Sequence, residues 1–162
     1  MDESQKEQAG AGEGDLCLLT IGEHESWLVQ GQQEPLRLAM GYRALVPGQT
    51  LGQFHREPPS PLELEQAIAW VEDIVMPLAT DLAPCSALRL TPSLLTPLFG
   101  PVTLPLARIE QSFAQLAAMA ERDPLAARDL PAGREFAATL LILREFMHHL
   151  GFIEVSLLAA QP

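Results

Sequence analysis

Two cysteines, one lysine and one tyrosine among 162 residues leave little reactive chemistry to place. Cys17 and Cys85 stand far apart in the chain, without the CxxC or Cys/His spacing of a zinc or redox centre. That excludes a disulfide scaffold and fits a reducing, cytoplasmic compartment, where a free Cys acts as a small buried hydrophobe. Basic residues are scarce, ten against 21 acidic ones, for a net charge of −11. A balance of that sign repels phosphate backbones, so nucleic acid is not an expected partner. The single lysine beside nine arginines reads as genomic base composition of a bacterial kind. No apolar run reaches the roughly 18 residues of a membrane span. The most apolar stretch, 88–107, is interrupted by Pro92, Pro97, Pro101 and Pro105. The first residues, MDESQKEQAGAGEG, lack the basic start and apolar run of a secretory signal. No membrane association is expected.

The familiar catalytic signatures are missing too. There is no GxSxG elbow, no HExxH and no Lys-Ser/Thr after the glycines of a phosphate loop. Gly10, Gly12 and Gly14 follow no strand and open no helix, so they read as turn glycines. No cofactor is expected.

What is present is a sequence that is 48% hydrophobic and 19% charged, of a length suited to one domain. Residues 1–14 read as a flexible acidic tail and 15–162 as a single α+β domain. Leu16–Ile21, Glu25–Gln30 and Pro35–Leu45 are short apolar or alternating segments separated by turn residues, the pattern of a small antiparallel meander. Trp27, in phase with Val29, is expected in the core. Residues 46–61 have no period and carry four prolines, as in a long loop. Ser60, Pro61 and Glu63 then form a capping-box helix start. Leu64, Ala67, Ile68, Val71, Ile74, Val75 and Leu78 continue it as one apolar stripe ending near Pro77. A short strand is expected at Ala87–Leu90, a second helix over about 105–121 and a third over about 134–150. The third is apolar on nearly every side from Phe136 to Leu143, so it needs cover on more than one face. A second copy of the chain would supply cover, and a homodimer is expected on that ground alone. Phe152–Leu158 is strand-like and able to join the meander.

Two kinds of function fit these residues. In the first, the chain is a non-catalytic interaction domain of adaptor, chaperone or inhibitor type. It would present the acidic face of the first helix, Glu65, Ala69, Glu72, Asp73 and Met76, to a basic protein partner. The alternative is a small-ligand-binding protein or enzyme with an anion site on the 46–61 loop. Arg43, His55 and Arg56 would be the anion contacts there, and Cys85 or His149 the reactive group. Glu145, His148 and His149 carry E-x-x-H and i,i+4 spacings, yet one such motif falls short of a di-iron set. Histidines at the negative end of a helix dipole are the plainer reading, so no metal is expected.

Overall fold

The structure, a computed structural model, describes residues 16–45, 54–83, 85 and 87–161. The expected tail and positions 46–53 of the long loop lie outside the described residues. Three strands open the fold, β1 (Leu16–Ile21), β2 (Ser26–Gln30) and β3 (Leu36–Leu38). Then come α1 (Pro61–Val75), β4 (Ala87–Leu90), the short α2 (Thr96–Phe99), β5 (Thr103–Pro105), α3 (Leu106–Ala120), α4 (Arg134–Leu150) and β6 (Glu154–Leu157).

The six strands form one sheet in the order β3-β2-β1-β4-β6-β5. The expected α+β class, meander and C-terminal strand are all found. β1, β2 and β3 pair antiparallel, as does β5 with β6. β4 lies parallel to β1, and β6 parallel to β4. Parallel neighbours need long crossovers. α1 lies in the first crossover, and α3 and α4 in the second.

Register gives the sheet two unlike sides. Cys17, Leu19 and Ile21 face the same way as their partners Gln30, Leu28 and Ser26, and as Leu88, Leu90, Val155 and Leu157 across the parallel pairs. All of these are buried. The alternate set, including Leu18, Trp27, Val29, Arg37 and Arg89, is half-buried or exposed. Trp27 therefore departs from expectation: it shares a side with Val29, but that side is the open one, and the ring is 37% exposed.

The helices fill the buried side. Ser60 accepts from the Glu63 amide (3.2 Å) while the Glu63 carboxylate accepts from the Ser60 amide (3.1 Å), the reciprocal box the sequence announced. Leu64, Ala67, Val71 and Val75 of α1 point into the core. Every residue from Phe136 to Leu143 of α4 is buried within the single chain, with α1 and α3 packed against it. Burial of α4 thus supplies no argument for a second copy. Gly151, with φ of 77°, closes α4 in the left-handed conformation expected of it.

Two segments differ from the sequence reading. The third strand is only three residues long because the chain turns at Gly41–Ala44, where an isolated bridge forms. Gly41 presses so close to the Glu23 backbone that a Cβ there would lie 2.5 Å away. The proline-rich 92–105 stretch hides α2 and edge strand β5. Pro97 sits in the first turn of α2, and Pro105 ends β5 and caps α3, positions where a missing amide proton costs little. Among the described residues no helix is long and apolar enough to cross a membrane.

Candidate functional site

α1 and α4 run side by side with like ends together. At their N-terminal ends the Arg134 amide donates to Glu57 Oε1 (3.2 Å), a few residues before α1 begins. At their C-terminal ends a polar cluster sits on the edge of the core. Glu145 occupies an inward position of α4 and is fully buried. His149 lies one turn on, its Nε2 3.0 Å from Glu145 Oε2. Glu72, from the last turn of α1, brings Oε1 to 3.2 Å from the same nitrogen. One donor atom from each of the three lies within 4.8 Å of the others. Glu72 and His149 keep partial exposure, so the cluster opens to solvent.

Arg144 backs the cluster from the other side. Its guanidinium bonds Glu145 Oε1 and, at 3.0 Å, Glu110 Oε2 of α3, and it stacks over the Phe113 ring at 4.8 Å. Burial works against its charge, but the Glu110 and Glu145 carboxylates more than offset this and hold its proton affinity above the ordinary value. His148, which the E-x-x-H pattern pairs with Glu145, instead turns to Glu110, with Nδ1 3.5 Å from Oε1. Sequence spacing finds the Glu145–His149 half of the cluster. It cannot find Glu72, whose approach depends on how α1 packs.

The expected anion constellation does not assemble. Arg43 is held by Glu135 at the start of α4 (Nε–Oε1 2.6 Å) and by Glu23 (3.8 Å). Glu135 and His149 are fourteen residues apart on one helix, about 21 Å at 1.5 Å per residue. Arg43 therefore cannot share a small ligand with His149. His55 is exposed, and its backbone amide donates to Glu63 Oε2 (2.6 Å). Cys85 sits beside Cys17, and both line a cavity of about 170 Å³. Burial first, and then Cys85 alongside, push the Cys17 thiol up to about 12, so it stays protonated. Arg56 is the member that reaches a large cavity. It lines a cleft of about 620 Å³ with Glu57, Ser60, Met119, Arg122 and Asp123. Neither Arg56 nor Arg122 forms an ion pair among the described residues, while Arg37, Arg43, Arg134 and Arg144 all do. Arg122 enters the cleft from a left-handed residue (φ 63°) just past α3, a position no sequence pattern marks.

Of the expected docking face, Glu65, Ala69, Asp73 and Met76 are exposed, and Met76 is 54% so. Glu72, on the same face, is half-buried, and its carboxylate reaches Nε2 of His149.

No protein family and no curated protein matches the sequence. Solved structures do match the fold. The Aquifex aeolicus PPX-GPPA enzyme superposes with a TM-score of 0.63 at 17% identity, over 90% of this chain and 53% of its own. An exopolyphosphatase from Cytophaga hutchinsonii gives 0.65 at 12% identity, over 89% and 53%. An exopolyphosphatase-like protein gives 0.67 at 11% identity, over 89% and 55%. The chain spans about half the length of these structures. The expectation of a non-catalytic adaptor is overturned by this likeness, because the proteins that share the fold are named as phosphatases and exopolyphosphatases. What the likeness establishes is the architecture: this chain has the fold of about half of a Ppx/GppA-type structure.

Proposed function

We propose that this chain is a substrate-binding lobe of a phosphatase-type enzyme that cleaves phosphoanhydride bonds in a polyphosphate-like chain, with a second lobe completing the active cleft. The observation that carries this reading is the superposition of nine-tenths of the chain on half of several such enzymes. In the reaction, water attacks the terminal phosphorus, the bridging P–O bond breaks, and the shortened chain leaves with the electron pair. Such a substrate is a polyanion, and on a protein of net charge −11 it needs local cations. The guanidiniums of Arg56 and Arg122 on the 620 Å³ cleft, unpaired among the described residues, are suited to that, because an Arg fork meets two phosphate oxygens at once. The arginines already neutralised by Glu25, Glu135, Glu57 and Glu110 are not.

Binding of inorganic polyphosphate to the purified chain tests this. Saturable binding is expected at low salt, weakening steeply as ionic strength rises. An Arg56→Ala/Arg122→Ala double variant is expected to lose about tenfold in affinity, the effect of roughly 1.4 kcal/mol. Absence of binding at low salt, or equal binding by the double variant, overturns the reading.

A further inference from the structure

We propose that Glu72, Glu145 and His149 form a binding site for a single first-row divalent cation of the zinc type. The site stands on its own residues and does not depend on the phosphatase reading.

The geometry comes first. A zinc-like ion holds imidazole nitrogen and carboxylate oxygen at about 2.1 Å, which places neighbouring donors roughly 3.0–3.4 Å apart. His149 Nε2 stands 3.0 Å from Glu145 Oε2 and 3.2 Å from Glu72 Oε1. The Glu72 and Glu145 oxygens lie within 4.8 Å of each other, so the more exposed Glu72 carboxylate moves in for one ion to replace the shared contact to the nitrogen. Three protein donors leave a fourth position for water, and the partial exposure of Glu72 and His149 gives an entry path.

Charge balance is the independent argument. Three carboxylates, Glu72, Glu110 and Glu145, converge here with one guanidinium, Arg144, and two imidazoles, His148 and His149. Carboxylates outnumber the guanidinium three to one, so negative charge is in excess around His149. Glu145 is fully buried; Arg144 holds its Oε1, and Oε2 is the oxygen turned to His149. α1 carries no basic residue in its last turn, and the C-terminal end of α4, with its negative dipole end, lies beside the cluster. A divalent ion held at Glu72, Glu145 and His149 offsets that excess. The donor set selects among ions: the imidazole favours zinc, iron or cobalt over magnesium and calcium.

The test uses the purified, chelator-treated chain titrated with cobalt and zinc chlorides. One ion per chain is expected, with a visible cobalt absorption band that zinc abolishes and excess magnesium does not. Glu72→Gln and His149→Gln lie at the solvent side and are expected to stay folded by circular dichroism. Each is expected to weaken binding by about tenfold or more. An absence of stoichiometric binding overturns the site. So does binding that survives in both variants, which would put the ion on the cysteines or on other carboxylates. Displacement by magnesium would remove the imidazole as ligand and overturn it likewise. Because no phosphate compound is present, the outcome is separate from that of the polyphosphate experiment.

Discussion

Ser60 and Glu63 show how much one pair of side chains decides. Together they satisfy amide donors that the first turn of α1 would otherwise leave open, and Glu63 also takes the His55 amide. Ser60→Ala is expected to destabilise the protein by about 1 kcal/mol, read as a lower denaturant midpoint with unchanged slope. The Glu63 carboxyl is pushed up by burial, but the amides of His55, Ser60 and Arg56 and the Ser60 hydroxyl outweigh that and hold it below the ordinary Glu range. Its folded value is depressed, so its contribution is complete above the unfolded value, about 4.3. It disappears as pH falls through the lower folded value. Glu63→Gln is expected to flatten the acid limb of a stability–pH curve in that window; an unchanged limb would show that the box does not act through charge. Residues of this kind are legible in a sequence because their partners lie three positions away. Arg43 is the opposite case. Its partners, Glu23 and Glu135, are brought to it by the fold, and they convert an apparent anion contact into an internal ion pair.

Elements were legible to the degree that their signals are local. The stripe of α1, the all-round apolar α4 with its glycine stop and the run of β1 stand in the sequence with their observed bounds nearly intact. β5 and α2 do not, since prolines at permitted positions look the same as prolines that break structure. The parallel placement of β4 between β1 and β6 is a property of crossovers, which no window of residues contains. The same limit applies to the metal cluster: its α4 half is an i,i+4 pair, and its α1 half arrives by helix packing. Two glycines test the element level. Gly151→Ala meets no neighbouring atom and should cost only the left-handed conformation, about 1 kcal/mol. Gly41→Ala would drive a methyl group into the Glu23 backbone and should cost more, about 1–3 kcal/mol. Equal losses in the two variants would show that the Gly41 turn gives way freely.

At the scale of the whole molecule, one continuous core joins the buried side of the sheet to α1, α3 and α4, and the likeness to Ppx/GppA-type structures extends over nearly all of it. The more exposed side of that sheet has a practical consequence. Trp27 stands on it in partial contact with water, while Trp70 on α1 is less exposed. The Trp27 indole is therefore a built-in optical probe. Iodide should quench a large share of its emission in the isolated chain, and a Trp70→Phe variant would leave that signal by itself. Were a second lobe to settle against those strands, the emission would move to the blue and the quencher would lose its access; an unaltered spectrum would send that lobe to another side of the molecule.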